Sequence, residues 1–144
     1  MSQVNLVTSE KELQHCFAIR MEVFVEEQAV PPELEIDEAD SSAIHALAVV
    51  AGVPAGTARL LLNTPLVGEA KIGRVAVKST FRGQGLATQL MRFLEEVARQ
   101  EQQSKITLDA QLPVIPLYEK LGYQVYGPVF DDAGIDHRKM SMAL

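Results

Sequence analysis

Apolar and polar positions change period several times along the 144 residues, and each change marks an element. Val4, Leu6 and Thr8 alternate as a short strand does. Ser9 stands three residues before Glu12, the spacing of a capping box, and Leu13, Cys16, Phe17, Arg20, Val23 and Phe24 follow at helical intervals. The spacing predicts a helix to about Val25, with Pro31-Pro32 barring continuation. Ala43 to Ala51 is almost wholly apolar, as suits a strand covered on both faces. Gly52-Val53-Pro54 reads as a turn and Ala55 to Leu62 as the returning strand of a hairpin. A loop punctuated by Asn63-Thr64-Pro65 and Gly68-Glu69 leads to a third strand of this run, Ala70 to Val77. After the polar loop Ser79 to Gly85, Leu86, Leu90, Phe93, Leu94 and Val97 form the apolar stripe of a long helix. Its wet face carries Gln89, Arg92, Glu96 and Arg99. Lys105 to Ala110 reads as a strand, and Pro113 to Leu121 as a short helix closed by Gly122. Tyr123 to Tyr126 and Arg138 to Ala143 read as the last strands. The order is α/β around a mixed sheet, and the length suits one domain over residues 1–144.

Composition narrows the class. Apolar residues make up 47% and charged residues 22%, near the globular average, which excludes disordered, collagenous and coiled-coil chains. No apolar run approaches the ~20 residues of a membrane span, and Met1 to Glu10 has neither the basic nor the apolar part of a signal peptide. A cytoplasmic protein without a membrane partner is expected. Cys16 is the single cysteine, so an internal disulfide or a cysteine zinc cluster is excluded, and no metal is expected. It lies on the apolar stripe of the first helix and reads as core. The net charge of −6 gives no basic footprint for nucleic acid. That charge is uneven: no Lys or Arg stands between Arg20 and Arg59, and the carboxylates from Glu22 to Asp40 place −8 there, leaving +2 elsewhere. Such a stretch is either a solvated loop or a wall that sorts ligands by sign.

The motif Arg82-Gly83-Gln84-Gly85-Leu86-Ala87 lies between a strand and the long helix. Free N–H groups and the positive dipole end at a helix start favour an anion, best a phosphate or pyrophosphate. Glycines let the backbone approach it closely. A P-loop needs Gly-Lys-Ser/Thr, which is absent. A dinucleotide fingerprint needs a third Gly or Ala where Thr88 stands, and an acidic residue about 20 residues on, where only the later Asp109 is found.

With the preceding strand Val75-Ala76-Val77, this loop resembles the coenzyme A loop, Arg/Gln-x-x-Gly-x-Gly/Ala, of the GNAT N-acetyltransferase superfamily. The family's second signature, roughly Asn-x-x-Ala-x-x-Phe-Tyr-x-x-x-Gly-Phe, is matched in spacing by Gln111, Val114, Leu117, Tyr118, Gly122 and Tyr123, with Gln111, Val114 and Leu117 substituted. The opening Arg20 to Gln28 and the closing Ala133 to Met140 are similar to small bacterial members. The resemblance covers nearly the whole chain and implies the family's fold. It implies acetyl transfer from acetyl-CoA to a small-molecule amine, by direct attack in a ternary complex; a homodimer is compatible with the sequence. Val75, Ala76, Val77, Arg82, Gly83, Gln84, Gly85, Leu86, Ala87 and Gln111 then bind the coenzyme, with Lys78 and Arg82 near its phosphates. Tyr118 matches the acid that faces the departing sulfur.

Thioester aminolysis also needs a base for the amine's proton and a donor for the developing oxyanion. Glu27, Asp109, His45 and His137 are the base candidates; His45 lies in an apolar strand and reads as core, and His15 as exposed. The acidic segment from Glu26 to Asp40 leads to the expectation of a cationic amine acceptor drawn by Glu33, Glu35 and Asp37. The competing class is a GNAT fold that binds acyl-CoA without turnover, as a sensor or scaffold.

Overall fold

A computed structural model describes all residues, Met1–Leu144. Seven strands form one sheet in the order β1-β2-β3-β4-β5-β7-β6, from β1 (Ser2–Leu6), β2 (Ile44–Val50), β3 (Val53–Leu61), β4 (Glu69–Val77), β5 (Lys105–Gln111), β6 (Gln124–Asp132) and β7 (Ile135–Ala143). All neighbours are antiparallel except β4 and β5. The helices are α1 (Glu10–Arg20), α2 (Pro32–Glu35), α3 (Leu86–Gln100) and α4 (Ile115–Leu121).

Residue alternation on β2 explains the layers. Ala46 and Ala48 join the core cluster that holds Leu90 and Leu94 of α3, whereas Leu47 joins a second cluster with Cys16 and Ile19 of α1. The two helices thus cover opposite faces, as the unbroken apolar run of this strand predicts. Leu90 and Leu94 are wholly buried; truncating either to Ala removes about 2–5 kcal/mol. Gly56 lets α3 approach the sheet, because a Cβ there would sit 3.1 Å from the Ala76 carbonyl and 3.3 Å from Leu90. Cys16 is buried, its thiol pushed up by desolvation, as a core residue should be.

The Ser9 cap forms: its Oγ accepts from the Glu12 amide at 3.2 Å, and the Glu12 carboxylate accepts from Thr8 N–H at 2.9 Å. The first helix stops close to the expected Val25, but its α-helical turns end at Arg20. From there it runs on as a π-helical segment, Met21–Glu27, whose wider turn changes the phase of the side chains. The acidic stretch is not a plain loop either, for it holds α2 and a 3-10 turn, Glu38–Ser41, capped by Asp37. β6 extends past Tyr126 to Asp132 despite Gly127-Pro128, because the register shifts between Tyr126 and Phe130 and β6 is an edge strand. A two-residue turn with positive φ at Ala133 (54°) and Gly134 (82°) joins it to β7.

Two irregularities open the sheet. β4 and β5 pair only at Glu69–Lys71 with Lys105–Thr107, leaving their C-terminal halves unpaired with each other. On β4, Arg74 and Val75 oppose the single residue Ala58 of β3, a bulge with Arg74 at φ 53°.

Candidate active site

The parting of β4 and β5 opens into a cavity of about 840 Å³. At one end lies the glycine loop. Gly85 caps α3 at φ 78°, and Gly83 stands at φ 81°, backbone that side chains rarely adopt. A Cβ at either position would enter open space, so the loop is a shallow cradle at the start of a fifteen-residue helix. Its shape and dipole fit an anionic group.

Val75 and Val77 line the cavity beside this loop, together with Leu86, Ala87 and Gln111. Ala76, between the valines, packs into the α1 core instead, and the Gln84 side chain is exposed; neither lines the cavity. Arg82 lines it too; its Nε donates to the Val77 carbonyl (2.9 Å) and its Nη2 to Glu27 (2.8 Å), tying the loop to the π-helical segment and leaving Nη1 uncommitted. Gln111 donates to the Gln28 side chain at 2.8 Å and bridges β5 to the same segment.

Tyr118 reaches the cavity from α4 and is 7% exposed, its ring edge-on to Tyr123 at 6.1 Å. Burial alone pushes its phenol up to about 12, with no hydrogen bond contributing. The hydroxyl stays protonated at neutral pH and is free to donate into the cavity.

Only two of the four base candidates line the cavity, Asp109 and His137. Glu27 pairs with Arg82. His45 is buried with Nε2 on the Asp40 carbonyl at 3.0 Å, a core position. Asp109 lies between Lys71 (3.0 Å) and Lys139 (3.3 Å), which together hold its carboxyl below the usual range although burial opposes them. That makes it a weak base. His137, opposite Gln111 in the sheet, is stacked on Phe130 with ring centroids 5.8 Å apart. Its Nδ1 lies 2.7 Å from the Ile135 carbonyl, which can only accept. Nδ1 therefore carries a proton, and in the neutral form of the ring Nε2 is an acceptor with no protein partner.

Three carboxylates of the acidic stretch are already paired. Glu35, Asp37 and Asp40 are engaged by three arginines that the chain supplies from elsewhere. Arg20 binds Glu35 at 2.9 Å and Asp40 at 2.7 Å, Arg59 binds Asp37 at 2.8 Å and Asp40 at 2.9 Å, and Arg74 binds Glu35 at 3.1 Å and Asp37 at 3.3 Å. For Glu35 and Asp37 the expectation of drawing a cationic amine loses its physical basis, whereas Glu33 is exposed, unpaired and outside the cavity lining. Glu35 is 3% exposed, and its field and that of Asp37 are cancelled at contact distance. Arg59 and Arg74 line the cavity with Glu35, and these two were missed from the sequence, where the visible signal was an arginine inside each of two strands.

A family model described as "Acetyltransferase (GNAT) domain" matches residues 6–144. The chain belongs to the GNAT acetyltransferase family. It is 35% identical over 136 residues to the uncharacterized N-acetyltransferase YjcF of Bacillus subtilis (strain 168), covering 94% of this chain and 95% of that one. Among solved structures it is similar to an acyl-CoA N-acyltransferase from Pseudomonas aeruginosa, with TM-score 0.83, 32% identity and 98% and 97% of the two chains covered. Escherichia coli ElaA gives TM-score 0.86 at 26% identity, over 98% and 99%. As a GNAT protein the chain is an acyltransferase that takes its acyl group from an acyl-CoA.

Proposed function

We propose that this GNAT protein transfers an acetyl group from acetyl-CoA to the amine of a small molecule, by direct attack within a ternary complex. The observation that carries the reading is the single cavity that joins the glycine loop, the Tyr118 hydroxyl and the unpaired Nε2 of His137. In this reading the pyrophosphate lies on the backbone from Arg82 to Ala87, and the pantetheine arm runs along Val75 to Val77. The β4 bulge turns the main chain at Arg74 and Val75 out of its ladder, which suits an amide that polarises the thioester carbonyl. His137 accepts the amine's proton at Nε2 while Ile135 fixes its tautomer.

Tyr118 donates a hydrogen bond to the departing sulfur. A phenol at about 12 facing a thiol of ordinary acidity would give up its proton only at a cost of about 5 kcal/mol, so stabilising the thiolate is its role rather than complete proton transfer. The proton that finally reaches the thiolate comes from the amine. A scaffold that merely stores acyl-CoA has no use for a buried phenol without a protein partner in the same cavity as a tautomer-locked imidazole, and this favours turnover.

Thiol release from acetyl-CoA over a panel of amines, with mass detection of the N-acetyl product, tests the proposal. Amine-dependent release is expected. Tight coenzyme binding with no release from any amine would establish the scaffold reading instead.

A further inference from the structure

On the reading just given the cavity holds an amine, and we infer that this amine also carries a carboxylate, received by Arg74 and Arg59 at the end of the cavity away from the glycine loop. A guanidinium has five N–H donors. Arg20 spends four of them, on Glu35, Asp40 and the Glu35 carbonyl, and does not line the cavity. Arg59 and Arg74 do line it, and both hold donors in reserve. Arg74 commits Nε to Glu35 and Nη2 to the Leu34 carbonyl and Asp37, which leaves Nη1 unused. Arg59 commits Nη1 and Nη2 to Asp37 and Asp40, while its Nε is buried without any partner.

Only one other buried side-chain polar atom lacks a partner: Nδ1 of His45, which is left bare when Nε2 donates to the Asp40 carbonyl. Arg59 is therefore the one cation with an orphaned buried donor, and it lies in the cavity wall. An unpaired buried donor is unfavourable unless a ligand completes it. The surrounding charge admits an anion. Among the charged side chains that line the cavity, Arg59, Lys71, Arg74 and Arg82 outnumber Glu35, Asp109 and Asp132. Arg74 is held at φ 53° on the bulge, backbone that costs energy in any residue but glycine and that re-aims its side chain. A planar carboxylate suits the fork of a guanidinium, whereas a simple alkylamine leaves every one of these donors unmet.

Matched acceptors test this with the unaltered protein: amino acids of several chain lengths, each beside its amidated and its decarboxylated counterpart, assayed by thiol release from acetyl-CoA. The carboxylate-bearing member is expected to give at least a tenfold higher kcat/KM. Arg74→Gln should raise the acceptor KM about tenfold or more and erase the preference, and Arg74→Lys should restore only part of it. If amidated or decarboxylated amines match the amino acids, the carboxylate inference is wrong while the acetyltransferase reading stands. If no amine of any kind releases thiol, both fall. The comparison within the parent protein needs no variant, so a folding defect in either substitution does not protect the inference.

Discussion

Replacing Asp40 with Asn probes the ion network that shapes the acceptor side of the cleft. Asp40 accepts four hydrogen bonds: from Arg20 Nη1 (2.7 Å) and Nη2 (3.0 Å), from Arg59 Nη1 (2.9 Å) and from the Asp37 amide (2.9 Å). Its side chain is 5% exposed and the two guanidiniums are 1% and 8% exposed. The substitution removes the charge that both arginines share and turns one acceptor into a donor facing donors. Removing one partner of a buried pair costs about 3–5 kcal/mol. At roughly 3 °C per kcal/mol for a chain of this length, the melting temperature should fall by about 10–15 °C. Glu33→Gln, exposed and without an ion partner, should leave it within about 2 °C. Circular dichroism melts at pH 7 and at about pH 2.5, below the ordinary carboxylate range, supply the test. The arginines and the Asp37 amide hold the Asp40 carboxyl far below its usual value, against the opposing effect of burial. Its stabilisation is therefore complete above the ordinary carboxylate range and drains as pH falls through the depressed folded value. Glu35 runs the other way, because burial outweighs its arginines and raises its carboxyl, so its ionisation costs stability as pH rises. The difference between parent and Asp40→Asn isolates Asp40, and it should narrow in acid. A variant that melts with the parent at pH 7, or a gap that widens on acidification, would refute the reasoning.

Tyr118→Phe should lower kcat about 10- to 100-fold, the worth of one hydrogen bond to a charged group, with coenzyme affinity by calorimetry little changed. Because burial places the phenol at about 12, the parent should show no loss of kcat from tyrosine ionisation below about pH 11, and an alkaline limb that vanishes in Tyr118→Phe would count against the hydrogen-bond role. Gly85→Val should weaken acetyl-CoA binding more than it weakens the fold, since the added side chain occupies the cradle and strains a left-handed residue; calorimetry beside a thermal melt separates the two. His137→Gln should reduce kcat/KM about 10²- to 10⁴-fold, while Asp109→Asn should change it little.

Local signals made much of the fold legible. The Ser9 and Glu12 pair announced α1, the stripe from Leu86 to Val97 announced α3, and Gly122, at φ 107°, marked the end of α4. What escaped depends on partners distant in the chain. Glu35 and Asp37 read as free charges because Arg59 and Arg74 reach them only through the β3–β4 register, 22 to 39 residues later. Pro128 hid the second half of β6, since proline argues against a strand until the strand proves to be a bulged edge. The β4 bulge left no glycine to betray it: its left-handed residue is Arg74. Within the cavity lining, the glycine loop was marked by its spacing and Tyr118 by the family resemblance. The choice of His137 over Asp109 was not legible, because it turns on the Ile135 carbonyl for one and on two lysines for the other.

The central claim is that an acyl-CoA occupies the parting of β4 and β5 with its phosphates on the glycine loop. Titrating coenzyme A into ¹⁵N-labelled protein and following the amide resonances tests it most directly. The largest shifts are expected at Val75, Val77, Gly83, Gly85 and Leu86, with smaller ones near Tyr118. Shifts gathered around the second hollow, of about 480 Å³ and lined by Thr64, Thr107, Tyr126 and Lys139, or no shifts at millimolar coenzyme, would contradict it.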